Sequence, residues 1–271
     1  MFDTTVPVPT MQRSRGAAHV IMGRRGVIDL AQSGSAKAML PRVTAGLPEI
    51  VFLNTSGGLA ADDRIVFGVE LRPQARTLAT TQTAERAYRA KGGPAQARVA
   101  LTVGADGWLD WLPQETILYD GARLERETTV DLAPGAGCLL LEMLVLGRLA
   151  MGERPAQLHL HDRRIVRQAG RIVHHDALAL DDAALARLAG QALTGACPAM
   201  ATLAVIAPDA PDLLPRARAV LDEPGVTAAA SAPPGRLVLR MLAADGWPLR
   251  RQINRLLLAL RPDPLPRIWQ V

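Results

Sequence analysis

Apolar and polar positions alternate in short runs from about residue 17 to residue 180. Residues 18–22, 49–53, 65–71, 76–81, 96–103 and 128–132 each show the period of two, or the compact apolar run, of a strand. Lys91-Gly92-Gly93-Pro94, Ala105-Asp106-Gly107 and Pro134-Gly135-Ala136-Gly137 punctuate them as turns. Ala169-Gly170 predicts a hairpin between residues 164–167 and 171–173. This regular spacing predicts a mainly β fold, a coiled or stacked array of short antiparallel strands.

The texture changes after Leu180. Asp181-Asp182 predicts a capped short helix through Leu188, ended by Gly190. Residues 202–206 and 237–241 read as strands, and residues 213–221 as a helix stopped by Pro224-Gly225. A last helix opens near Pro248, where proline is tolerated. Its apolar residues Leu249, Ile253, Leu256, Leu257 and Leu260 recur at three and four. Arg250, Arg251, Asn254, Arg255 and Arg261 take its other face, expected to be solvated or, alternatively, to meet a partner. The few helices therefore concentrate in the C-terminal third. No repeat or linker interrupts the pattern. The expectation is one domain over residues 1–271, with a β-rich body (1–180) and a mixed α/β portion (181–271).

Composition adds limits. With 271 residues, 49% of them hydrophobic, the chain can bury a substantial core. No apolar run has the length of a membrane-spanning helix, so no membrane role is expected. Residues 1–10 have no basic n-region, which does not suit a secretory signal, and the expected location is cytoplasmic. Cys138 and Cys197 lie far apart and read as reduced core side chains. The formal charge is +5 and the pI about 10. A basic balance admits acidic partners, so a nucleic-acid-binding β-protein is the alternative reading. Aromatics make up only 3% and the arginines are scattered, so no nucleic acid is expected as partner.

Several residues could carry chemistry. Neither lysine, Lys37 or Lys91, follows a glycine, so the chain lacks the phosphate loop of common nucleotide hydrolases. It also lacks the G-x-S-x-G and H-E-x-x-H signatures, and no catalytic residue is assigned. Asp62 and Asp63 follow the Gly57-Gly58 turn and could cap it or hold a cation. His159 and His161 share a strand face and, with Asp162, could bind Ni²⁺, Cu²⁺ or Zn²⁺; two half-exposed surface histidines are the plainer reading. In His174-His175-Asp176 only one histidine could join the acid, through bending. Glu142 interrupts the apolar run around residues 138–146. It is either half of a buried ion pair with an arginine or an acid lining a polar passage.

Five motifs occur in order. Ser56-Gly57-Gly58-Leu59 with Asp63-Arg64 comes first, then Thr80-Thr81-Gln82-Thr83-Ala84-Glu85-Arg86-Ala87-Tyr88-Arg89. Trp111-Leu112-Pro113-Gln114-Glu115-Thr116-Ile117 is third. Leu146-Gly147-Arg148 with Met151-Gly152-Glu153 is fourth, and Leu265-Pro266-Arg267-Ile268-Trp269 closes the chain. Together they resemble the urease accessory protein UreD family, called UreH in some organisms, from about residue 15 to the end. Where the family's turn reads Gly-Gly-Asp, this chain has Ala61-Asp62-Asp63, so Asp62 adds a charge beside the matched acid.

The resemblance implies a non-enzymatic chaperone of nickel insertion with a mostly β fold. It implies partnership with UreF, the GTPase UreG and apo-urease, in a 2:2:2 complex with UreF and UreG. GTP would be bound by UreG and not by this chain, and no cofactor would be held stably. Ni²⁺ would pass transiently through an internal passage lined partly by acids. Asp63, Glu142 and Asp176 match acidic positions of that passage, and Glu115 and Glu153 are further candidates from matching motifs. Carboxylates suit such a passage because they bind Ni²⁺ weakly enough to release it.

Overall fold

The computed structural model describes residues 13–148, 151–187 and 197–270. The strands in chain order are β1 (Arg15–Gly23), β2 (Gly26–Gly34), β3 (Ala36–Met39), β4 (Glu49–Asn54), β5 (Arg64–Leu71) and β6 (Arg76–Thr81). Next come β7 (Glu85–Ala87), β8 (Ala95–Val103), β9 (Trp108–Leu112), β10 (Thr116–Leu118), β11 (Ala122–Leu132) and β12 (Gly137–Leu146). They are followed by β13 (Leu158–Gln168), β14 (Arg171–Leu180), β15 (Ala199–Ile206), β16 (Val226–Ser231) and β17 (Arg236–Ala243). The helices are α1 (Asp182–Arg187), α2 (Leu214–Arg218) and α3 (Gly246–Leu260). The stacked, strand-rich fold with few helices is thus the expected one.

Strand direction differs from the expectation. From β4 to β13 the long strands go alternately to two facing sheets. One sheet runs β14-β13-β11-β8-β5-β1-β2, and the other β16-β17-β15-β12-β9-β6-β4-β3 with β7 and β10 beside it. Connections in this stretch cross between sheets, so neighbours within a sheet run parallel: β5 with β8, β8 with β11, β6 with β9 and β9 with β12. Antiparallel pairing is confined to the two ends and to hairpins, including the predicted one, where Ala169 and Gly170 join β13 and β14. Period-two alternation shows which face of a strand is buried. It does not encode which strand lies alongside or in what direction.

The two sheets enclose one apolar layer, and a second lies between the β12 sheet and α3. The even-numbered residues of β12 face the first layer and the odd-numbered Leu139, Leu141 and Met143 face the second. Burial of both faces explains why this strand reads as a continuous apolar run. Helix α3 is capped by Asp245, whose carboxylate accepts from Trp247 N at 3.1 Å. Its five predicted apolar positions are all buried; burial of each contributes about 1.5–3 kcal/mol.

The arginines near α3 are not a free solvated face. Arg251 and Arg255 pair with Glu223 and Asp222, and Arg250 lies over the Trp269 ring. Arg261 is buried and pairs with buried Asp110 at 2.6 Å. Helix periodicity assigns a side to these residues but cannot reveal the acids that approach from loops. The end of the short helix predicted at Leu188 and Gly190 lies outside the described residues. The helix predicted over residues 213–221 is shorter, a 3-10 turn followed by α2.

Candidate functional site

A polar row crosses the layer between the two sheets. On β12, Glu142 takes an inward position between Leu140 and Leu144. In register beside it stand Thr202 on β15 and Arg240 on β17. The facing sheet carries Arg126 on β11 opposite Asp162 on β13, and Arg164 on β13 opposite Asp176 on β14. All occupy positions where alternation otherwise places apolar side chains.

The charges are linked. Arg126 donates from Nε and Nη2 to the two oxygens of Asp162 at 2.9 and 2.8 Å. Its Nη1 reaches Thr116 Oγ1 at 2.9 Å and Glu142 Oε2 at 2.8 Å. Arg164 lies 3.5 Å from Asp162 and 3.4 Å from Asp176, and donates to Thr202 Oγ1. Asp176 also accepts from Arg240 at 3.0 Å, at the exposed end of the row. Burial raises the pKa of Glu142 against the opposing pull of Arg126, and the charge of Asp162 adds to the rise. Burial acts the same way on Asp162, but the charge and hydrogen bonds of Arg126 outweigh it and hold that acid low. Glu142 is therefore the acid of the pair that more readily takes a proton. A small cavity is lined by Glu142, Arg164, His174, Asp176 and Thr202.

His174 and Asp176 are both buried on the inner face of β14, while His175 is exposed. The expectation that bending is needed to bring a histidine to this acid is corrected: residues two apart on a strand already share a face. Burial lowers the His174 pKa to about 4, so the ring is neutral at pH 7.

At its other end the row approaches the glycine turn. Glu85 on β7 stands in register with Thr116, the hydroxyl partner of Arg126. Asn54 Nδ2 donates to both Glu85 oxygens at 3.2 Å. A small cleft here is lined by Asn54, Gly57, Thr81, Gln82, Thr83 and Glu85. Burial lifts the Glu85 pKa from 4.5 to about 7 against these bonds. Between those values the unfolded chain releases a proton that the folded chain keeps. The stability present at low pH is therefore lost as pH rises through about 7. Glu85→Gln is expected to flatten that decline, as read from unfolding midpoints between pH 4 and 8.

The motif residues build the surroundings. Ser56 Oγ donates to Asn54 Oδ1 at 2.6 Å, and Tyr88 OH to Gly57 O at 3.2 Å. Gly58, at φ 152°, leaves no room for a Cβ, which would lie 2.7 Å from Arg86 O and against the Tyr88 ring. Gly58→Ala should cost about 1–3 kcal/mol, read from thermal unfolding. Thr80 donates to Leu112 O at 2.6 Å and accepts from Trp269 Nε1 at 3.2 Å. Gln114, beside buried Pro113, accepts from Arg250 at 2.5 Å. Gly147 and Gly152 take positive φ in the turn where Arg148 pairs with Glu153.

Of the acids read from the motifs, Glu142 and Asp176 meet in the row. Asp63 lies apart, at the entry to β5: its Oδ1 accepts from Ser14 N and its Oδ2 from Ala60 N, both at 2.7 Å. Glu115 faces Arg250 at 3.6 Å. Glu153 accepts from Asp120 N at 3.0 Å, and this bond leads the causes that lower its pKa. His159 and His161 do share a face, with rings 4.6 Å apart, but Asp162 points inward and cannot join them. That possible triad is corrected, because adjacent strand residues face opposite ways. Among the described residues, no three His, Cys, Asp or Glu side chains form a ready metal-binding group. The sequence patterns do not mark Arg126, Arg164 or Glu85 as site residues, and they mark Asp162 only as a partner of the two histidines. The available signal was a charged residue at an inward period-two position, as in Leu158-Leu160-Asp162 and Leu124-Arg126-Thr128.

The chain matches the model of the UreD urease accessory protein family over residues 14–270. It is 73% identical over 271 residues to a urease accessory protein UreD of Paracoccus denitrificans, covering 100% of this chain and 97% of that protein. It is 57% identical over 270 residues to one from Cereibacter sphaeroides, with 98% of each covered. A protein of the same name from Dinoroseobacter shibae is 44% identical over 275 residues, covering 99% of this chain and 96% of the relative.

Proposed function

The chain belongs to the UreD family of urease accessory proteins, and from that membership we propose that it helps insert nickel into apo-urease as a scaffold and conduit. Family membership supports a role in urease maturation. In the finer reading the chain assembles with UreF and UreG, two copies of each, and the assembly docks on apo-urease. UreG binds and hydrolyses GTP, and this chain contributes no catalytic step.

The observation that carries the conduit is the row from half-buried Glu85 through buried Arg126, Glu142 and Asp162 to Asp176. A divalent cation crossing a protein needs oxygen donors that hold it weakly. Carboxylates already occupied by guanidinium groups meet that need, because the cation must exchange with arginine and is not trapped. The guanidinium groups also make the buried acids tolerable while no cation is present. Arg126, Arg164 and Arg261 hold their charge inside the fold, so the basic balance overstates what is offered to nucleic acid. No helix among the described residues is long and apolar enough to cross a membrane.

The test is the nickel content of urease from cells expressing the enzyme with UreE, UreF and UreG, with and without this chain. Filled urease only when the chain is present supports the reading. Equal nickel in both overturns it.

A further inference from the structure

We propose that two copies of the chain pair edge to edge through β2, antiparallel about a two-fold axis at Ala31, so that their seven-stranded sheets become one. The inference goes beyond the maturation role and does not depend on the conduit.

Four strands end the two sheet paths, β3 and β16 in one sheet and β14 and β2 in the other. A free strand edge presents unpaired N–H and C=O groups, and proteins usually blunt it. Three of these edges are blunted by a side chain. Gln32 Oε1 accepts from Ala38 N of β3 at 3.0 Å, and Arg218 donates to Ala230 O of β16 at 3.2 Å. Arg236 donates to Val173 O of β14. Strand β2 differs. It pairs with β1, and among the described residues no hydrogen bond reaches its other edge. Every residue from Val27 to Gly34 is exposed, including the apolar Val27, Ile28 and Leu30. Asp29 is the strand's only charge, and it has neither the lysine nor the proline that commonly guards an edge.

The strand's own pattern selects a second copy as the occupant. Its register slips at Ile28, since Ile21 faces Asp29 while Met22 faces Val27. At the other end Gly34 turns the chain away with φ 57°. The regular stretch is therefore Asp29 to Ser33, centred on Ala31. An antiparallel copy rotated about Ala31 sets Asp29 opposite Ser33, Leu30 opposite Gln32 and Ala31 opposite Ala31. No like charges meet in this register. Each Ser33 hydroxyl can donate to an Asp29 carboxylate, and the two Leu30 side chains become diagonal neighbours on one face. A two-fold contact uses the same edge on both copies, so pairing closes at a dimer. Strand β14, which carries Asp176, lies at the opposite end of the sheet and stays free. So short an edge contact falls below about 1,200 Å², the low end of specific interfaces, and the dimer is a reversible one.

The test follows the mass of the purified full chain against concentration by sedimentation equilibrium. The original chain should pass from monomer to dimer as concentration rises. Ala31→Glu and Ala31→Lys each bring like charges face to face on the axis, and each should weaken association about two- to fivefold. Mixing the two variants should restore association, because opposite charges then meet. A chain that stays monomeric at every concentration overturns the proposal. So does a dimer that ignores both substitutions or does not recover on mixing. A second measurement needs no purification. In extracts of cells expressing the full chain, mild oxidation should link Ala31→Cys into a disulfide dimer, since Cβ atoms of directly opposite residues lie about 4.5–5.5 Å apart. Thr102→Cys, exposed on the same sheet away from its edge, should stay unlinked. Equal linking of the two variants, or none from Ala31→Cys, overturns the proposal. None of these readouts involves nickel, so the maturation reading stands or falls separately.

Discussion

Arg126→Met is expected to destabilise the chain by about 3–5 kcal/mol, the usual result of removing one partner of a buried ion pair. The guanidinium holds both oxygens of Asp162, reaches Glu142 and bonds Thr116, and it is buried among them. Methionine fills similar space but leaves Glu142 without its guanidinium partner and Asp162 with only Arg164, 3.5 Å away. Against a total stability of about 5–15 kcal/mol, that loss would sharply reduce soluble yield. Combining Arg126→Met with Asp162→Asn and Glu142→Gln removes the stranded charges and should recover most of it. Urea unfolding midpoints of the single and triple variants measure both effects. A single variant within about 1 kcal/mol of the original would mean that water already solvates the row.

The second large effect separates stability from delivery. Glu142→Gln keeps the shape of the side chain and removes the capacity for charge. Because burial already favours the protonated acid, the amide should fold as well as the original. Nickel loading of urease, however, should fall about tenfold or more, since a neutral amide is a poor substitute for a carboxylate ligand. Initial loading rates with the purified partners, beside a thermal unfolding curve, distinguish the two outcomes. Asp63→Ala should behave in the opposite way. Its carboxylate closes two backbone N–H groups at the start of β5, so its loss should affect the turn before it affects nickel.

Much of the fold was legible because alternation and helical periodicity are local. The hairpin at Ala169-Gly170 and the five-residue apolar stripe of α3 followed from spacing alone. Strand direction did not, because turns that cross between sheets look like hairpin turns in sequence. The site was partly legible. Glu142 could be noticed because an acid in an apolar run needs an explanation, and of the two explanations the structure shows the ion pair, with Arg126. Arg126 and Arg164 were hidden because arginine is common throughout this chain. Only alternation counted from the neighbouring leucines shows that these two point inward. Asp162 was grouped with His161 by adjacency in sequence, although on a strand adjacency means opposite faces. The meeting of β12 with β11, β13 and β14 is a tertiary fact, and no local pattern carries it.

The most direct test of the central claim follows nickel into apo-urease over time. UreF and UreG are supplied with the original chain, with the Glu142→Gln, Asp176→Asn double variant, or with no chain. The account predicts filling with the original chain, and loading close to the no-chain level with a double variant that still assembles with its partners. A double variant that fills urease at the original rate and to the original extent would contradict it.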